Sequence, residues 1–186
     1  MEDAGQLGIA PFTALMALYD LLKFPEPHSI PVVPPPPASS GAASSSRGIP
    51  ILISGGASSV GLYTIQIAKH SGLYVIATAS ERNFDLVRSL GADVVVNYRD
   101  PVKAAKQIRE AAPGPIEHAL DCVSTGTSFE IVAASLDGKG TIANLGLGDY
   151  PTVEGVKVLN SIIFDYFGKV SSSKSKNPSP LLPIDP

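Results

Sequence analysis

Between Ile51 and Leu145 the chain alternates short apolar runs, rich in β-branched residues, with stretches of helical periodicity. The runs Ile51–Ser54, Tyr74–Thr78, Asp93–Asn97, Glu117–Asp121 and Thr141–Leu145 have the length of strands. In the gaps, apolar side chains recur on one helical face: Val60, Thr64, Ile67 and Ala68, then Phe84, Val87 and Leu90, then Val102, Ala105 and Ile108, then Phe129, Val132 and Leu136. Strands joined through helices pair in parallel by right-handed crossovers, and the helices then cover both faces of the sheet. The expected fold is therefore α/β, a doubly wound parallel sheet of Rossmann type. A sixth extended segment is expected within Val156–Phe164, and a helix ahead of the sheet from Pro11 to Leu22, where Leu15, Leu18 and Leu22 repeat at helical spacing.

With 186 residues, 44% of them hydrophobic, the chain can build one domain with a substantial core but not two full ones. Its 17 prolines are unevenly placed, seven between Pro25 and Pro37 and four between Pro178 and Pro186. The first cluster opens a Pro/Ser-rich loop, residues 25–48, expected to be exposed and mobile; the second lies in an expected disordered tail, residues 169–186. Fourteen basic against 17 acidic residues give a net charge of -3, with no basic stripe, so neither nucleic acid nor a membrane surface is an expected partner. The single Cys122 excludes an internal disulfide and a multi-thiolate zinc site. The N-terminal apolar stretch is acidic, is interrupted by Pro11 and ends at Asp20, too short to cross a bilayer; a cytoplasmic location is expected.

The first strand runs into "GGASSVG", Gly55 to Gly61, at the edge of the sheet where doubly wound folds bind ligands. Against the G-x-G-x-x-G fingerprint, Gly56 and Gly61 fit the first and third positions while Ser58 replaces the middle glycine. Small residues allow a pyrophosphate to approach, and the amides of Ala57, Ser58, Ser59 and Val60 with the helix dipole would meet its charge. On the motif alone, a ligand-free strand-to-helix turn explains the residues equally well. At the end of the second strand, where an NAD site places a carboxylate on the ribose, this chain has Ser80, followed by Glu81 and the donors Arg82 and Asn83. A hydroxyl there can donate to a 2′-phosphate. "SERN" also reads as a helix start with Ser80 as N-cap.

The stretch "ILISGGASSVGLYTIQIAKHSGLYVIATASERNFDLVRSLGADVVVNYRDP" closely resembles the cofactor domain of medium-chain dehydrogenases/reductases, in particular the zinc-independent, quinone-reductase-like branch, and within it the fungal trans-acting enoyl reductases that serve polyketide synthases. The likeness runs from about Leu7 to about Gly168 and is interrupted in the proline-rich loop. The resemblance implies NADP as cofactor, with Ser80, Asn83 and Tyr98 around its 2′-phosphate, and places Asp121–Val123 and Leu145–Gly146 near the nicotinamide half. It makes residues 1–24 a crossing-helix region, with Thr13 matching a position that faces nicotinamide and substrate, and residues 49–168 an NADP-binding Rossmann domain. A family member also carries a GroES-like catalytic domain, which is absent from this sequence. Two functions follow: NADPH-dependent reduction of an enoyl group, with a polyketide synthase as partner, or a non-catalytic cofactor-binding fragment or interaction module. No catalytic residue is assigned. Cys122 lacks a recognisable His partner and reads as a small buried hydrophobe. His28, His70 and His118 lack metal-ligand spacing, so no metal is expected, and His118, inside a strand, reads as a packed histidine.

Overall fold

The computed structural model describes residues 8–25, 48–136, 138–146 and 150–160. Among them the chain forms a helix α1 (Ile9–Leu15) continued by a π-helical stretch (Met16–Leu21), then β1 (Pro50–Ser54), α2 (Ser59–His70), β2 (Tyr74–Ala79), a 3-10 turn (Glu81–Asn83), α3 (Phe84–Ser89), β3 (Val94–Asn97), α4 (Pro101–Ala111), β4 (His118–Asp121), α5 (Gly126–Ser135), β5 (Gly140–Asn144) and β6 (Val156–Asn160). The strands form one sheet in the order β3-β2-β1-β4-β5-β6, and every neighbouring pair is parallel. The doubly wound expectation holds, including the sixth strand. The direction of winding reverses between β1 and β4, so their carboxyl ends diverge and leave a crevice.

Because a parallel strand is covered on both faces, alternate residues of β1 feed two cores. Ile51 and Ile53 point into one with Ile65, Ala68 and Val87, whereas Leu52 points into the other with Ile108, Ile131 and Ile142. The helix α1, through its π-helical continuation and the capping residue that ends it, contributes Ala17, Leu18 and Leu22 to the first core. It starts two residues ahead of Pro11, which sits in the first turn, where a missing N–H removes no intrahelical bond. Its second half tightens no further into an α-helix: the Leu22 N–H reaches back five residues to the Ala17 carbonyl at 3.0 Å.

Three helical faces differ in detail from those read off periodicity. Ile65 is fully buried on α2, where Val60 and Ile67 are only half-buried. On α4 the buried side chains are Ala104, Ala105 and Ile108, while Val102 is 82% exposed. Leu15 on α1 is 42% exposed although Leu18 and Leu22 are buried. The Pro/Ser-rich loop, apart from its first residue and its last, and the tail 169–186 lie outside the described residues, as does His28.

Leu18→Ala, which empties a fully buried site, is expected to lower unfolding stability by about 2–5 kcal/mol, whereas Leu15→Ala on the same helix should change it by less than about 1 kcal/mol. Urea denaturation of the two variants measures the difference and tests whether α1 shares the core of the sheet.

Candidate functional site

The turn that follows β1 is fastened to the end of β2. The Gly55 N–H donates to the Thr78 hydroxyl at 3.0 Å, and the Gly56 N–H to the Thr78 carbonyl at 2.8 Å. Gly55 adopts φ +81°, a left-handed conformation that suits glycine, so the residue that makes the turn is Gly55 rather than the fingerprint's Gly56. Gly61 meets a different demand: a Cβ there would overlap the Gly55 carbonyl oxygen, so its bare backbone lets α2 start against β1. The Ser58 side chain caps α2 by accepting from the Gly61 N–H at 3.1 Å. These bonds occupy the amides of Gly55, Gly56, Ser58 and Gly61. Among the described residues nothing meets the amides of Ala57, Ser59 and Val60, which stand at the N-terminus of a 12-residue helix with its positive dipole end. Such an end is an anion site.

A cleft of about 590 Å³ opens beside this turn. One end is walled by Ala57 and Ser58 and continues to the close of β2 and β3, where Ser80, Arg82, Asn83, Tyr98 and Arg99 line it. The opposite wall is the loop after β4 and the start of α5, through Val123, Thr125 and Ser128. Among the described residues the lining carries two arginines and no carboxylate. Ser80 takes the backbone position of a helix cap, but its side chain makes no capping bond; the Asn83 N–H goes to the Ser80 carbonyl at 2.9 Å instead. The hydroxyl of this nearly buried serine thus stays available to the cleft.

Of the residues singled out from sequence, Ala57, Ser58, Ser80, Arg82, Asn83 and Tyr98 come together along this cleft. Gly56, Ser59, Val60 and Gly61 shape or begin the turn without lining it. Leu145 and Gly146 do not line it: Leu145 packs on the first core, and the Gly146 N–H donates to Asn144 Oδ1 at 3.2 Å. Thr13 is buried in α1, where its hydroxyl donates to the Ile9 carbonyl at 2.8 Å.

Sequence reasoning missed two contributors, and the role of a third that it had placed near the nicotinamide half. Arg99 follows Tyr98 and adds a second cation to the lining. Thr78 pins the glycine turn. Asp121, fully buried at the end of β4, organises the opposite wall: Oδ1 accepts from the N–H groups of Val123 (2.9 Å) and Ser124 (3.0 Å), and Oδ2 from the Ser128 hydroxyl (2.8 Å). This holds Ser124 at φ +56° and feeds the reciprocal Thr125–Ser128 cap that starts α5. An acid closing a predicted strand ahead of "CVST" was the available signal.

Cys122 packs against the first core, and burial pushes its thiol up to about 12; the neighbouring Asp121 carboxylate adds to the rise and a bond with Ser58 opposes it. Such a thiol is no nucleophile near neutral pH. His118 stacks edge-on against Phe24 with ring centroids 4.7 Å apart. Burial lowers its pKa below the ordinary value, with Glu117 opposing. Among the described residues no group of three His, Cys, Asp or Glu side chains is placed to hold a metal ion, and no helix is long and apolar enough to cross a membrane.

Residues 59–169 match the family described as zinc-binding dehydrogenase. The metal in that description finds no fitting donor set among the described residues. The chain is 37% identical over 179 residues to the trans-enoyl reductase ACTTS2 of Alternaria alternata, covering 95% of this chain and 48% of that protein. It is 40% identical over 144 residues to the trans-enoyl reductase cghC of Chaetomium globosum, covering 75% and 38%. The mycobacterial protein Rv1454c, solved in complex with NADPH, superposes with a TM-score of 0.65 at 26% identity over 88% of this chain and 47% of that one. The chain therefore spans about half the length, or less, of the relatives it matches.

Asp121→Ala strands the Val123 and Ser124 N–H groups and is expected to destabilise the fold by about 3 kcal/mol or more, read by chemical denaturation. Cys122, its thiol raised to about 12, should resist iodoacetamide at pH 8 in the native protein and react once urea is added, a contrast that mass spectrometry reads.

Proposed function

This chain belongs to the zinc-binding dehydrogenase family, and from that premise we propose that it is the cofactor-binding half of an NADP-dependent oxidoreductase of the enoyl reductase type. The observation that carries the reading is the lining at the ends of β2 and β3: an uncommitted Ser80 hydroxyl, Asn83, Tyr98 and two arginines, with no carboxylate among the described residues. A 2′-phosphate finds donors and positive charge there, whereas the ribose hydroxyl of NAD would lack its usual acceptor. When bound, the cofactor supplies a hydride.

The chain's own residues bind and orient. The amides of Ala57, Ser59 and Val60 and the dipole of α2 would receive the pyrophosphate. Ser80, Asn83, Tyr98, Arg82 and Arg99 would receive the 2′-phosphate. Val123, 45% exposed, offers an apolar surface on the facing wall, kept in place through Asp121. We take residues 49–168 as the NADP-binding unit, with α1 packed on it.

The names of the fungal relatives support an enoyl group as substrate; the sequence resemblance to trans-acting enoyl reductases extends this to a thioester on a polyketide chain, reduced by hydride addition to the β-carbon, with a polyketide synthase as partner. The single cysteine supports a cytoplasmic setting. A second reading is a cofactor-binding or interaction module without turnover. The two readings separate on activity: substrate must be held against the nicotinamide with water excluded, and the cleft described here has side chains for the cofactor alone.

Each hydrogen bond to the charged phosphate contributes roughly 1.5–3 kcal/mol, so a preference for NADPH over NADH of about tenfold or more is expected, and Ser80→Asp should erase it. Fluorescence titration of both proteins with both cofactors measures this. Equal affinities in the unmodified protein would refute NADP, and binding of neither would leave the glycine turn a structural one. With a crotonyl thioester and NADPH, this chain alone is expected to show little oxidation of NADPH; substrate-dependent turnover would discard the second reading.

A further inference from the structure

Glu81 stands between two residues that line the cleft, Ser80 and Arg82, yet its own side chain does not line it. The reason is a single contact. Its carboxylate accepts a hydrogen bond from Asn97 Nδ2 at 2.9 Å, at the end of β3, where Asn97 is the register partner of Ala79. The other side of the same amide is also committed: Asn97 Oδ1 accepts from the Arg99 N–H at 3.0 Å. The two bonds fix the amide's orientation, since a reversed amide would set oxygen against the carboxylate and NH₂ against an N–H. Asn97 thus joins the turn after β2 to the loop after β3, and on each side the next residues, Arg82 and Arg99, face the cleft.

We propose that Asn97 is a positioning residue for cofactor specificity: it latches the Glu81 carboxylate away from the 2′-phosphate pocket and sets the backbone from which Arg99 reaches it. This rests on the NADP reading above and adds to it a residue that need not touch the cofactor. An acid one residue beyond the ribose position would otherwise oppose a dianion by like-charge repulsion, as the acids of NAD sites do. In this chain the repulsion is removed by tethering the acid.

The test uses the full chain and two probes that differ only in the phosphate in question, adenosine 2′,5′-bisphosphate and 5′-AMP, titrated calorimetrically into the wild type, Asn97→Ala, Glu81→Gln and the double variant. The wild type should prefer the bisphosphate. In Asn97→Ala the freed carboxylate should cut that preference about fivefold at low salt, through weaker bisphosphate binding. Glu81→Gln alone should stay within about twofold of wild type, because its carboxylate is already held aside, and the double variant should recover most of the loss. A general loosening of the fold would weaken both probes together and leave their ratio unchanged. If the wild type prefers the bisphosphate and Asn97→Ala keeps that preference, the latch is wrong and the NADP reading stands. An equal loss in the double variant also overturns it, since Asn97 would then act without Glu81. Equal binding of the two probes by the wild type refutes the NADP reading and the latch with it.

Discussion

The pairing of β1 on both sides, with β2 and with β4, is the constraint from which the candidate site follows. A strand flanked this way lies at the centre of the sheet, buried on both faces, and the crossovers that serve its two neighbours leave in opposite directions. The carboxyl end of β1 is then the one place where the chain can emerge into an open crevice instead of under a helix. Thr78 makes this place rigid. By accepting from Gly56 and Gly55 it ties the turn to β2, so the glycine loop and the residues that follow β2 keep a fixed relation along one cleft.

The two walls of the cleft are built on different principles. Next to β2 and β3 the wall is cationic and donor-rich, and its acid, Glu81, is bound to Asn97. Next to β4 the wall is organised by a carboxylate that never reaches solvent. Asp121 accepts from Val123, Ser124 and Ser128, which compensates its buried charge and at the same time holds Ser124 in a left-handed conformation. Acidic groups therefore sit close to the cleft on both sides without presenting charge to it, which fits a site for a polyanion.

Much of this could be read from the residues. The strand runs have β-branched, apolar sequences because both faces of a parallel sheet are covered, and their boundaries in the sequence fall within a residue or so of the observed strands. The cleft residues Ser80, Arg82, Asn83 and Tyr98 were legible because the fold class fixes where strand ends must lie. Less legible were contacts between segments distant in the chain. Nothing near Thr78 indicates that its hydroxyl meets Gly55, and nothing near Asn97 indicates that it reaches Glu81, 16 residues earlier. Leu145 and Gly146 were placed by analogy of strand ends, but the polar line from Ser124 through Asn144 to Asn160 carries that edge away from the cavity.

The sequence by itself determined the fold class, the order of strands and helices, and which loops close the carboxyl edge, because periodicity and crossover chirality are local or nearly local properties of the chain. It also determined the chemistry on offer there: glycines, hydroxyls, amides and cations. Only the tertiary structure decided how those groups were spent. It assigned the left-handed turn to Gly55, freed the Ser80 hydroxyl by giving the Asn83 N–H to a carbonyl, and turned Glu81 toward Asn97. The physical reason is that each polar group has a fixed number of donor and acceptor sites, and which of them remain for a ligand depends on partners that meet only once the sheet has formed.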